Sequence, residues 1–234
     1  MISLTPVVLQ TATGPALHIP DGFLSAPVSL VGWALTIGAV AVAARRAERT
    51  MSDRAVPLMG VMAAFIFATQ MMNFPVAGGT SGHLLGGALA AILLGPWAAV
   101  IVMAAVVGLQ ALLFQDGGLV VMGANIFNMG VVTIAVGWGT FRLLTPIASG
   151  SGTGFVVAAA VAAWLSVEAS AIVTALQLAA SGTSPLGVAL PAMAGVHALI
   201  GIGEGAITAA ALSFIRITSP GLVAAAPTTP EAVR

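Results

Sequence analysis

Three histidines, His18, His83 and His197, and two acids set inside long apolar runs, Glu168 and Glu204, are the residues of this chain able to hold an ion or move a proton. Imidazole is a preferred ligand of first-row transition metals and titrates near neutrality. Cysteine is absent, which removes disulfides, haem attachment, iron–sulfur clusters and thiolate zinc sites together. Metal chemistry must therefore run on nitrogen and oxygen donors. Each residue also has a plainer reading. A histidine at a helix end is more often a capping or interfacial residue than a ligand, and for His197 the two readings weigh evenly. A glutamate inside a span can be a hydrogen-bonded packing residue as readily as a proton or ion site; packing is favoured for Glu168, and Glu204 stays open.

The elements that must position these side chains follow from composition. Of 234 residues, 59% are hydrophobic and 6% charged, and the mean hydropathy is +1.10. A soluble chain of this length could not cover its surface with so little charge. Backbone polar groups cannot go unpaired in hydrocarbon, and the apolar runs are far longer than barrel strands, so the expected class is an all-α integral membrane protein. Apolar runs bounded by Gly, Pro or charge place seven spans at 28–44, 55–73, 83–95, 96–114, 123–144, 154–181 and 191–217. The third, between His83 and Gly95-Pro96, is short and reads as a broken or re-entrant segment lying against protein.

Charge checks the count. The chain has no Lys, and its seven cations are Arg45, Arg46, Arg49, Arg54, Arg142, Arg216 and Arg234. With the N-terminus outside and seven crossings, every Arg falls on the cytoplasmic side, as the positive-inside rule requires; without the third span, Arg142 and Arg216 would move outward. The same walk puts all three histidines toward the outer face. Nothing in this pattern suits a nucleic-acid surface. The 28 glycines cluster in runs such as Gly78–Gly87 and Gly201–Gly205, predicting tight helix packing around His83 and Glu204. Residues 218–234, with Pro220, Pro227 and Pro230, read as a short disordered cytoplasmic tail.

Several blocks in order resemble the CbiM/NikM family, the substrate-binding subunits of energy-coupling-factor cobalt and nickel ABC transporters. They are His18-Ile19-Pro20-Asp21-Gly22-Phe23-Leu24-Ser25, Asn73-Phe74-Pro75-Val76, Gly79-Thr80-Ser81-Gly82-His83-Leu84-Leu85-Gly86-Gly87, Gln115-Asp116-Gly117-Gly118-Leu119, Gly123-Ala124-Asn125-Ile126-Phe127-Asn128-Met129-Gly130, and His197 through Gly205. The resemblance implies one seven-helix membrane domain over residues 17–217 with its amino terminus outside. It implies import of Co2+ or Ni2+ across the bacterial cytoplasmic (inner) membrane, with cobalamin biosynthesis as one destination. The implied partners are a transmembrane coupling subunit, two ABC ATPase subunits and a small accessory membrane subunit. The implied site is a square of four nitrogens: a free amine at residue 17, the peptide nitrogen and imidazole of His18, and the imidazole of His83. Such fused chelate rings enforce a plane that suits Ni(II) or Cu(II), and the ligands must lose protons to bind. Asn73, Ser81 and Asn125 are candidates for orienting the ligands.

The chain departs from the family pattern at one point. The family begins Met-His, whereas here Leu17-His18 follows sixteen further residues. Either Leu17 is encoded by an alternative start codon, the preferred explanation, or residues 1–16 are a leader cut after Ala16.

Other readings remain beside this one. A stand-alone secondary transporter would use Glu168 and Glu204 as a cation path. An intramembrane metalloenzyme is disfavoured, since there is no HExxH, and His197 and Glu204 stand two helical turns apart. A scaffold without metal is the third. The sequence carries no GxxxxGK[ST] phosphate loop, so any ATP-driven step needs a partner.

Overall fold

The computed structural model describes residues 18–50, 55–72, 74–75, 81–148 and 152–222. Helix α1 spans Ala26–Thr50 and α2 Ala55–Gln70. A two-residue hairpin follows, β1 (Phe74–Pro75) antiparallel to β2 (Ser81–Gly82). Then come α3 (Gly87–Leu94), α4 (Pro96–Phe114), α5 (Met122–Leu144), α6 (Gly152–Ala180) and α7 (Leu186–Thr218). Five of these, α1, α4, α5, α6 and α7, are long and apolar enough to cross a membrane; α2 is a shorter apolar helix of 16 residues.

The eight residues of α3 are too short to cross alone, at roughly 12 Å. They are instead the centre of the bundle: Gly87 to Leu93 are all buried, with α2, α4, α5, α6 and α7 packed around them. Glycines end the helix on both sides, Gly86 and Gly95 each at φ 79°, a conformation that costs an L side chain appreciably. The third apolar run is thus helical only over Gly87–Leu94: His83 to Gly86 lead into α3 as irregular backbone.

Contacts sort the helix ends into two sets. Around the N-terminus of α1 lie the ends of α2, α4 and α6 and the starts of α3, α5 and α7, tied by Gln70 to Leu85, His18 to Asp116, Trp33 to Val120, and Thr183 to Phe23. At the opposite end the arginines stack on aromatic rings: Arg46 5.8 Å from the Trp97 ring centre, Arg142 5.7 Å from Trp138, and Arg216 4.4 Å from Phe155. Arg216 also donates to the Gly152 carbonyl at 3.0 Å. Such contacts suit a cation on a long stem at a helix end.

Several expected boundaries move. Helix α1 runs on to Thr50, so Arg45, Arg46 and Arg49 stand on helix rather than in a loop, since Arg, Glu and Ala sustain a helix after the apolar run stops. Helix α7 starts at Leu186 with Pro191 inside it; Gly187, four residues back, has no Cβ to crowd the ring. Helix α5 winds as a π-helix over Phe127–Val132, a feature hydropathy does not encode. Residues 1–17, Arg54, Asn73 and 223–234 lie outside the described residues.

Helices α1 and α5 cross at contact distance through glycine. A Cβ on Gly32 would stand 2.8 Å from Ala124 Cα, and one on Gly123 2.6 Å from Trp33 Cα, while Thr36 Oγ1 donates to the Gly123 carbonyl at 2.6 Å. Gly38, further along α1, has nothing within 4 Å of such an atom. Gly123→Ala should therefore destabilise by roughly 1–3 kcal/mol through overpacking, and Gly38→Ala should be neutral or stabilising by up to about 1 kcal/mol. Thermal unfolding of the two variants in detergent checks this; equal melting temperatures would contradict the close crossing.

Candidate metal centre

The segment before α1 is laid across the ends of three helices and tied down residue by residue. Asn125, in the first turn of α5, takes both sides of Ile19: its Oδ1 accepts from the Ile19 N–H at 3.1 Å and its Nδ2 donates to the Ile19 carbonyl at 3.0 Å. Gly118 N–H donates to the same carbonyl at 3.0 Å. Asp21 accepts from the N–H groups of Leu119, Val120 and Val121 at 3.1, 2.9 and 3.3 Å, placing an anion where backbone donors cluster ahead of α5. Thr183, between α6 and α7, donates its hydroxyl to the Phe23 carbonyl.

These ties carry His18 inward, to 6% exposure. Its Nδ1 lies 3.1 Å from the Asp116 carbonyl and 3.9 Å from that residue's carboxylate. Gln115 closes α4 in the left-handed region at φ 54°. Gly117, at φ 92°, leaves the room that His18 fills: a Cβ there would meet His18 Cβ at 2.8 Å. His18 Nε2 is buried with no hydrogen-bond partner among the described residues. Burial holds the imidazole pKa down to about 4 against the partly offsetting Asp116 carbonyl, so at neutral pH the ring is uncharged.

His83, 7% exposed, comes from the irregular segment ahead of α3. Its Nδ1 lies 2.8 Å from the Leu84 carbonyl, and its ring centre is 5.0 Å from that of His18, at 70°. A carbonyl can only accept, so each Nδ1 carries the proton and each ring presents the lone pair of Nε2. Two imidazoles at right angles on one metal, with metal–nitrogen bonds of about 2.0–2.1 Å, place their ring centres roughly 4.5 Å apart, and opposed rings roughly 6.4 Å. The observed separation is nearer the first. One feature of the implied square is not met as the rings stand: a chelate through His18's own peptide nitrogen closes only through Nδ1, which here bonds Asp116.

The remaining candidates part company. His197 is not brought to the pair; its Nδ1 bonds the Met193 carbonyl of its own helix at 2.8 Å. The expected convergence of three histidines thus narrows to two, because a histidine within a helix finds an acceptor four residues back. Glu168 has a buried Oε1 without partner among the described residues. Glu204, 3% exposed, accepts from Leu85 N–H through Oε2 at 2.9 Å and from Gly86 N–H through Oε1 at 2.6 Å. Of Ser81 only the backbone in β2 is described; Leu17 and Asn73 lie outside the described residues. Among the described residues no group of three or more His, Asp or Glu side chains is placed to hold a metal. Asp116, Asp21 and Gln70 also build the surroundings of the pair, though residue type alone does not mark them as site residues. The Gln115–Leu119 block marked the first, whereas Gln70 gave no signal beyond a polar residue closing an apolar run.

Fold and site together define a multi-pass helical membrane protein with a paired-histidine centre at one end of its bundle. A family model for the cobalt uptake substrate-specific transmembrane region, CbiM, matches residues 18–222, and the chain belongs to that family. A Haloquadratum walsbyi relative named for metal transport is 43% identical over 209 residues, covering 88% of this chain and 93% of its own. The fused nickel transport protein NikMN of Rhodobacter capsulatus is 36% identical over 231 residues, 92% of this chain and 67% of its own. A crystal structure of a truncated transition metal transporter superposes with a TM-score of 0.79 at 34% identity, covering 86% of this chain and 99% of that one.

The depressed His18 pKa carries a stability consequence. In the unfolded chain the ring titrates near 6.5, and in the folded one near 4. As pH falls through that window the unfolded state takes up a proton that the folded state refuses, so stability is lost progressively between about 6.5 and 4. The metal-free protein should melt lower at pH 5 than at pH 7, and His18→Gln should reduce that difference; an unchanged pH slope in the variant would count against a buried neutral His18.

Proposed function

We propose that this chain is the metal-binding membrane subunit of an energy-coupling-factor ABC transporter that imports Co2+ or Ni2+, with cobalamin biosynthesis as one destination for cobalt. The observation that carries the reading is the pairing of His18 and His83, both buried, with ring centres 5.0 Å apart, near the separation of adjacent sites on one ion. The names of its relatives, for nickel and for metal transport, support the cargo.

In this reading the chain crosses the bacterial inner membrane seven times with its amino terminus outside. Helix α2 is one crossing, and α3 with its irregular lead is another. The histidine end then faces out and the arginine end faces the cytoplasm, in accord with the positive-inside rule. The mature chain begins at Leu17, whose free amine joins the His18 peptide nitrogen and the two imidazoles; residues 1–16 are an upstream extension and 218–234 a tail. Closing that square requires His18 Nδ1 to release the Asp116 carbonyl. Asn125 serves by holding Ile19 in register, and Asn73 and Ser81 precede His83 in sequence. A transmembrane coupling subunit, two ABC ATPases and a small accessory membrane subunit complete the transporter and supply the energy. The rival cation path through Glu168 and Glu204 lacks support, since both oxygens of Glu204 face backbone donors.

The mass of the amino-terminal peptide of protein made from its native gene should place the terminus at residue 17, as Met or Leu. That protein should bind a single Ni2+ or Co2+, and His83→Ala should still assemble with its partners while losing binding by at least about 100-fold. A mature terminus at Met1 would overturn the four-nitrogen site, and unimpaired metal binding by His83→Ala would overturn the assignment of the centre.

A further inference from the structure

The proposed site leaves Glu204 without a role, yet its hydrogen bonds lead back to His83. Two consecutive peptide groups follow that histidine. In the first, the Leu84 carbonyl holds His83 Nδ1 at 2.8 Å, while the Leu85 N–H of the same planar unit donates to Glu204 Oε2 at 2.9 Å. In the second, the Leu85 carbonyl accepts from Gln70 Nε2 at 2.7 Å, while the Gly86 N–H donates to Glu204 Oε1 at 2.6 Å. Each peptide plane is therefore gripped on both edges. The N–H edges are held from α7 in both; the carbonyl edge is held by the His83 ring in the first and from the end of α2 in the second.

The geometry points to Glu204 and Gln70 as positioning residues for His83, Glu204 acting through the Leu84–Leu85 peptide and Gln70 bracing the peptide after it, so that together they set the metal affinity of the centre. The inference rests on the reading of His83 as a ligand.

Three physical arguments support it. Peptide groups are rigid, so fixing the Leu85 N–H also fixes the Leu84 carbonyl and with it the rotation of the imidazole. A carboxylate at the far end of a hydrogen-bond chain polarises the links between, and the Nδ1–H partner of a ligating histidine governs its basicity and orientation. Third, the anchor is itself held firmly. A Cβ on Gly201 would stand 2.8 Å from Trp164 Cδ1 and one on Gly205 3.0 Å from the Ala160 carbonyl, and Trp164 Nε1 donates to Ala198 O at 3.0 Å. Helix α7 is thereby locked to α6 on both sides of Glu204.

The residue types are specific to the task. Glutamine at 204 would turn an amide NH2 toward one of two N–H donors and leave it unmatched; aspartate is a methylene too short to keep both. Gln70, with no exposure at all, has one buried oxygen without a hydrogen-bond partner among the described residues, a cost set against the bond its Nε2 makes to the Leu85 carbonyl.

The test uses full-length protein from its native gene, purified in detergent, with Ni2+ as the probe. Affinity, the visible absorption of bound Ni2+ and the melting temperature of the metal-free protein are measured for wild type, Glu204→Gln, Gln70→Met, Glu168→Gln and His83→Ala. Glu204→Gln should bind about 10–100-fold more weakly with a shifted spectrum, and Glu168→Gln as wild type. Gln70→Met removes the orphaned amide oxygen but leaves the Leu85 carbonyl unpaired; it should still fold, and bind Ni2+ several-fold more weakly with a shifted spectrum, a change at the metal that a purely structural role does not produce. Wild-type affinity and spectrum in both Glu204→Gln and Gln70→Met overturn the inference. If Glu204→Gln does not fold, Gln70→Met decides by itself: unchanged affinity overturns the pair, weakened affinity with an intact fold upholds it. Should His83→Ala bind Ni2+ like wild type, the centre itself is wrongly placed and the inference falls with it; His83-dependent binding indifferent to residues 70 and 204 removes this inference alone.

Discussion

A peptide group that leaves the helix inside an apolar bundle must find its partners within the protein, because no water is at hand to take them. The irregular stretch from His83 to Gly86 is where this constraint bears hardest. It brings a histidine inward on backbone that has no helical ladder of its own, and the surrounding helices supply what is missing: the imidazole itself for the Leu84 carbonyl, Glu204 for two N–H groups, Gln70 for a carbonyl. An all-helical third span would need none of these polar groups. It would also leave His83 on a helix, where its Nδ1 could turn to the carbonyl four residues back, as that of His197 does.

The other half of the centre meets the same constraint at the bundle's end. His18 lies on a segment with no secondary structure, yet Ile19 is held on both edges by a single asparagine, and Asp21 gathers three N–H donors ahead of α5. Short polar side chains are economical here because they match backbone donors and acceptors one for one. The glycines work alongside them. Gly117 admits the His18 side chain, and Gly123 lets α1 lie against α5 so that the segment before α1 arrives over the start of α5. Packing and polar matching are therefore one device: the close crossing brings the strap within reach of Asn125, and Asn125 keeps it there.

How much of this was legible in the sequence depended on whether the cause was local. Long apolar runs bounded by Gly, Pro and charge placed the five membrane-length helices and α2 to within a few residues, except at the C-terminal end of α1 and the N-terminal end of α7. Hydropathy ends at Arg45 while helix propensity does not, and Pro191 reads as a start although glycine four residues earlier tolerates its ring. The π-turn in α5 has no hydropathic signature. His18 and His83 stood out by type and by the blocks around them; alternating helix direction put both toward one end of the bundle, and the family resemblance implied their pairing. His197 shared that direction but not the loop geometry. The carbonyl partners Asp116 and Leu84, and the bracing by Gln70, are tertiary facts: nothing at positions 70, 84 or 116 alone says which peptide plane will face which side chain.

The two histidines also differ in how far the protein constrains them. His83 is bonded to the carbonyl of the next residue, in a peptide group whose far edge is held by α7, so ring and anchor are separated by one rigid unit. His18 is bonded to a carbonyl in the turn after α4 and sits on a segment outside the helices, held by contacts to three different connections between them. The two halves of the pair are therefore rooted differently, one in the core of the bundle and one in the connections at its end.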